Sequence, residues 1–253
     1  MSAAREGLLA RAVGFFVEPE PATLVQPPPP ASAPSRAVVT PRPLVAVCGV
    51  RPGCGATTVA RALAAELAGR DPLRSAVVAG SDARGALPLG TPAAARLARL
   101  VAERTGVEAR PSGRLCLAQD SDPPGLERAL RGAASLVLDV ALRGMAPAAA
   151  SLADRVVLVA EPATEPALAE IVADSLARVG PRPIIVLNRA PSDQGAAAAA
   201  ADRLRAPPAA WGNRAHVLVP SSLPGARLAL GCRGAGGAFG AAIAALAERC
   251  VQP

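Results

Sequence analysis

The chain predicts an α/β protein: a doubly wound, mostly parallel sheet between two helical layers, three layers in all. Three observations lead there. Seven apolar runs of strand length follow one another from Pro43 onward, and near-continuous apolar runs are how parallel strands buried on both faces read. Alanine- and leucine-rich helical stretches separate most of them, the pattern of βαβ units. The first run passes directly into a glycine-rich turn and a helix, "LVAVCGVRPGCGATTVARALAAELA", Leu44 to Ala68.

Composition bounds what such a fold does. At 253 residues and 51% hydrophobic, the chain suffices for a full core. Aromatic residues make up 2% and tyrosine is absent, which argues against stacking platforms for single-stranded nucleic acid. The net charge is +7, all 27 basic residues are arginine, and they form no dense run. DNA is therefore not an expected partner. Five cysteines (Cys48, Cys54, Cys116, Cys232, Cys250) show neither a CxxC pair nor metal-ligand spacing. Reduced thiols, no apolar run of membrane-spanning length and no clean signal pattern at the N-terminus point to the cytoplasm.

Residues 1–42 read as a separate, largely disordered segment. Leu8, Leu9, Ala12, Val13 and Phe16 recur at helical spacing, so residues 3–16 form a candidate amphipathic helix for a protein partner or a membrane surface. A proline-rich tether follows, "VEPEPATLVQPPPPASAPSRAVVTPRP", which favours extended backbone. Residues 43–253 form the main domain. Its strands are "PLVAVCG", "RSAVVAG", "GRLCLAQ", "ASLVLDV", "DRVVLVAE", "RPIIVLN" and "AHVLVP". Its helices include "TTVARALAAELAG", "TEPALAEIVADSLARVG", the alanine-rich "AAAAAADRLRAPP" and a closing "GGAFGAAIAALAERC". The lone His216 opens the last strand with no partner motif, so a structural or surface role is expected.

The turn after the first strand admits three readings. Against the phosphate-loop pattern G-x-x-x-x-G-K-[ST], residues Val50 to Thr57 match at Gly55 and Thr57 but not at the first glycine or the lysine, which are Val50 and Ala56. Against the dinucleotide fingerprint, Gly53 and Gly55 match, Thr58 stands at the third glycine, and the acidic residue comes late, as Asp82. A plain strand-to-helix turn is the third reading. It accounts poorly for Gly49, Gly53 and Gly55 within seven residues, followed by Thr57 and Thr58.

Other segments favour the phosphate loop. "ASLVLDV" is an apolar strand ending in Asp139, the form of a Walker B element, and "ADRVVLVAEPATEPALAEI" and "IIVLNRA" follow in order. With "RPGCGATT", these segments resemble the MinD/ParA family of deviant P-loop ATPases, and most nearly its CpaE/TadZ-type branch associated with Tad pilus assembly. The resemblance covers about residues 43–250 and implies a P-loop NTPase-like fold, an ATP/ADP and Mg²⁺ site, and a homodimer.

The family's loop reads K-G-G-x-G-K-T-T. By that resemblance Arg51 stands for the signature lysine that reaches across a nucleotide-sandwich dimer. Gly53, Cys54, Gly55, Ala56, Thr57 and Thr58 form the loop, Ala56 replacing the in-loop lysine. Thr57 and Asp139 are the Mg²⁺ residues, and Asn188 is an adenine contact. The acidic pair that would activate water is reduced to Asp82, with Gly80 at the other position. Loss of one charge-assisted hydrogen bond, about 1.5–3 kcal/mol, weakens ATP roughly 10- to 150-fold. Hydrolysis suffers more, because phosphoryl transfer depends on positioning and charge stabilisation. The resemblance thus implies a pseudo-ATPase, positional or scaffolding, recruiting pilus or polar partners through residues 1–42. Membrane contact at the inner face would come from residues 3–16. A slow ATPase of the partition or division type and a nucleotide-free interaction module are the alternatives.

Overall fold

A computed structural model describes residues 42–80, 84–119, 123–141, 146–190, 211 and 214–252. The candidate helices at 3–16 and 196–208, and Asp82, lie outside the described residues. Among the described residues an eight-stranded sheet runs in the order β3-β4-β2-β5-β1-β6-β7-β8. The strands are β1 Leu44–Gly49, β2 Ala76–Ala79, β3 Ala109–Ser112, β4 Leu115–Ala118, β5 Leu136–Val140, β6 Arg155–Ala160, β7 Ile184–Ala190 and β8 Val217–Pro220. All neighbours pair parallel except β3 and β4, which form an antiparallel hairpin at one edge. The doubly wound parallel sheet expected from sequence is therefore present, with one additional antiparallel edge strand.

Seven described helices cover the sheet: α1 Ala56–Arg70, α2 Pro92–Thr105, α3 Pro123–Leu130, α4 Ala146–Leu152, α5 Pro166–Ala177, α6 Leu223–Leu230 and α7 Gly237–Val251. Strand alternation divides the core between the two faces. Leu44, Ala46 and Cys48 of β1 pack with Leu97 of α2, Leu126 of α3, Ala149 of α4 and Leu176 of α5. Val45 and Val47 turn to the other face, where α1, α6 and α7 bring Leu63, Ala229 and Leu246. Among the described residues no helix is long and apolar enough to cross a membrane.

The second layer is close-packed through small residues. A Cβ on Gly225 of α6 would stand 2.7 Å from the Phe239 ring of α7, so that ring packs directly onto the α6 backbone. Arg61 of α1 is fully buried, yet its Nη1 donates to the carbonyls of Arg84 (2.7 Å) and Leu230 (2.9 Å). That satisfaction lets a charge sit in the interior. At the start of the described chain, Arg42 donates to Asp71 Oδ2 (2.9 Å) and to the Gly132 carbonyl (2.6 Å).

Strand β1 is central, flanked by β5 and β6. The chain leaves it for β2 on the β5 side, and crosses it again between β5 and β6. Such a switch in winding direction opens a crevice at the carboxyl ends of the strands, where open α/β sheets take their ligands.

Candidate functional site: a phosphate-loop cleft

The crevice is a cleft of about 740 Å³ lined by the turn from Gly49 to Thr57 together with Gly80, Asp139, Val140 and Ala141. Three strand ends and one helix start converge there. The turn is fastened first at Val50, whose N–H donates to the Val159 carbonyl of β6 (2.8 Å). Gly53 and Gly55 then adopt left-handed backbone, φ 84 and 87, a region open to glycine at little cost. Gly55 is the N-cap of α1 and receives no side-chain cap. The first turn of a helix holds N–H groups without intrahelical acceptors, so an amide-rich helix end with its positive dipole faces the cleft.

Asn188 secures the turn from the far side. Its Nδ2 donates to the Cys54 carbonyl (2.9 Å) and the side chain is buried. A Cβ at Gly55 would lie 2.2 Å from that Nδ2, so both the conformation and the space demand glycine. On the opposite wall, a Cβ at Gly80 would meet the Asp139 carbonyl at 2.5 Å, which lets β2 end against β5.

Alternation also explains Asp139. Leu136 and Leu138 face the α2 side and Val137 the α1 side, so Asp139 turns to the α1 side, beneath the loop. It is buried, at 8% exposure, and has a partner within the fold. Thr57 and Thr58 are partly buried in the first turn of α1, and Ala56 is its first residue. Cys54 buries its thiol. Burial is the largest influence and raises its pKa, against the opposing pull of the Arg51 and Ala56 amides.

Arg51 lines the cleft and donates through Nε to Glu161 Oε1 (2.9 Å), with a second contact through Nη2. Arg189 Nη1 donates to the other oxygen, Oε2, at 3.1 Å. The Arg51 hydrogen bond, first among several influences, holds the Glu161 carboxyl below the usual carboxylate range. The structure thus gathers Arg51, Gly53, Cys54, Gly55, Ala56, Thr57 and Asp139 around one cleft, with Asn188 bound to the loop from behind and Thr58 on the helix that follows. Sequence reading missed Glu161 and Arg189. Their signal was weak: an acid closing "VVLVAE", and an arginine following Asn188 in a strand.

No protein-family model matches the chain, and no curated protein sequence matches it significantly. Solved structures do. A ParA family ATPase from Chlorobium tepidum superposes with a TM-score of 0.53 at 15% identity, over 82% of this chain and 99% of that one. A putative plasmid partition protein from Borrelia burgdorferi bound to AMPPNP gives 0.49 at 12% identity, over 83% and 96%. A nucleotide-binding protein from Archaeoglobus fulgidus in complex with ADP gives 0.40 at 15%, over 79% and 91%. The first of these shows that the chain has the α/β fold of a ParA-family ATPase.

Proposed function

We propose that the cleft binds a nucleoside di- or triphosphate, and that the protein is a pseudo-ATPase acting as a positional or scaffolding factor, in the manner of the CpaE/TadZ branch in Tad/Flp-type pilus assembly. The observation that carries the binding reading is the left-handed, uncapped start of α1 at Gly55, opening into a cleft with Asp139 on its wall. The loop amides would hold the β-phosphate, as backbone groups at such a helix end do. The Asn188 amide keeps the Cys54 carbonyl turned away from the anion.

Thr57 and Asp139 fit Mg²⁺. Both are oxygen donors on the same cleft, and Mg²⁺ is commonly held by one or two protein oxygens together with phosphates and water. Bound there, the ion would neutralise phosphate charge. Ala56 gives the bridging oxygen no ammonium, and no lysine elsewhere in the chain replaces it. Hydrolysis is accordingly slow or absent while binding persists. Residues 1–42 recruit partners, and nucleotide biases a monomer–dimer equilibrium.

Calorimetric titration of the full chain with ATP and ADP, with and without Mg²⁺, tests this. Micromolar to sub-millimolar binding with negligible phosphate release is the expected result. No heat at millimolar ATP in a folded sample refutes it. Recovery of pilus-assembly proteins by the full chain, lost on deletion of residues 1–42, tests the role. A slow true ATPase is the second reading, favoured by Thr57 and Asp139 sharing the cleft. It requires Mg²⁺-dependent phosphate release that disappears in Thr57→Ala and in Asp139→Ala.

A further inference from the structure

Glu161 stands one residue beyond β6, bonded to Arg51 of the cleft wall, and its two oxygens are divided between two arginines. Oε1 accepts from Arg51 and Oε2 from Arg189. The carboxylate is the more buried member, 15% exposed against 47% for Arg51 and 55% for Arg189. It is also fixed from behind. The Glu161 N–H donates to Thr164 Oγ1 (3.3 Å), and the Thr164 N–H returns to the Glu161 carbonyl (2.8 Å).

Arg189 is placed with equal care. It sits in left-handed backbone, φ 60, where the β7–β8 register shifts between Asn188 and Ala190. That kink separates two neighbours, so Asn188 reaches the loop while Arg189 reaches Glu161. A non-glycine residue there is strained, and an ordinary exposed ion pair stabilises only weakly. The pairing alone is thus a modest return for the strain.

A guanidinium fork matches a carboxylate and a phosphate by the same two parallel bonds. We propose that Glu161 is an internal stand-in for a terminal phosphate: it holds Arg51 and Arg189 as a two-armed anion receptor, and only ligands carrying a polyphosphate displace it. Glu161 thereby sets the charge a ligand must bring, and so determines specificity for the proposed nucleotide site, on which this inference rests. A ligand with several negative charges exchanges with a single carboxylate, and an uncharged nucleoside leaves the pairing intact.

The test is calorimetry on the full chain with sodium tripolyphosphate, ATP and adenosine as probes, wild type against Glu161→Gln. Removing the competing charge should tighten tripolyphosphate and ATP by about two- to ten-fold, the scale of one to two partly exposed ion pairs. Adenosine should be unaffected, and Arg51→Ala in the Glu161→Gln background should abolish the gain. Thermal melts confirm that each variant is folded. Unchanged or weaker ATP affinity in Glu161→Gln, with the wild type still binding, overturns the stand-in role alone. A gain that survives Arg51→Ala also overturns it. Failure of both wild type and variant to bind any phosphate probe overturns this inference and the proposed nucleotide site together.

Discussion

The starts of α1 and α2 differ in one respect that sets their fates. At α2, Thr91 accepts a hydrogen bond from the Ala94 N–H at 3.2 Å and Pro92 occupies the first turn. At α6, Ser222 does the same for the Gly225 N–H at 3.1 Å, again with a proline beside it. Each of these helices closes one of its orphan amides with its own N-cap side chain. Helix α1 has a left-handed glycine at that place and no side-chain cap. A helix start lacking a cap, at the convergence of three strand ends, leaves its first amides without a side-chain acceptor on the cleft. The stability that a side-chain cap would provide is absent there.

Gly55→Val should break the contrast most severely. It forces a β-branched residue to φ 87 and drives a Cβ into the Asn188 amide, at a cost of about 2–4 kcal/mol, read as a lowered melting temperature with loss of ATP binding. Ala56→Lys should sharpen it, tightening ATP by roughly 10- to 150-fold through one charge-assisted hydrogen bond, measured by calorimetry. Thr91→Ala should cost about 1 kcal/mol in denaturant unfolding and leave ATP affinity unchanged, because that cap serves only its own helix.

The smallest effect tests a third backbone amide closed by a side chain. His216 Nδ1 accepts from the Ile185 N–H at 2.8 Å, which requires the unprotonated nitrogen. Burial foremost, then Arg249 and Arg182, lower its pKa from 6.5. The unfolded chain therefore binds the proton more readily, and the stability His216 contributes is present above pH ~6.5 and fades below it. Melting temperature should decline slightly as pH drops through that region, and His216→Ala should remove that component.

Much of this was legible beforehand because burial writes itself into sequence. Seven strands were visible as apolar runs, and Asp139 stood out as a carboxylate ending one of them. The eighth, β3, was not. Its residues "ARPS" pair only on one side, with β4, so nothing compels an apolar run, and a proline is tolerated at an edge. The loop was legible through its glycines. The Glu161 clasp was not, since three residues 110 and 28 positions apart meet only when β1, β6 and β7 are neighbours. Arg61 was hidden for the same reason: a buried arginine is defined by the carbonyls that receive it, and Leu230 is 169 residues away.

The central place of β1 also dictates a timetable. It is an early segment of the domain to leave the ribosome, yet its neighbours are β5 and β6, and its loop is fastened by Val159 and Asn188. Non-local pairing of this kind is slow to form because chain closure precedes any reward. The apolar Leu44–Gly49 must therefore wait, unpaired, for β5, whose Leu136 lies opposite Leu44 from 92 positions further along the chain (136 − 44). In that interval it is the part of the nascent chain most in need of shielding from other chains.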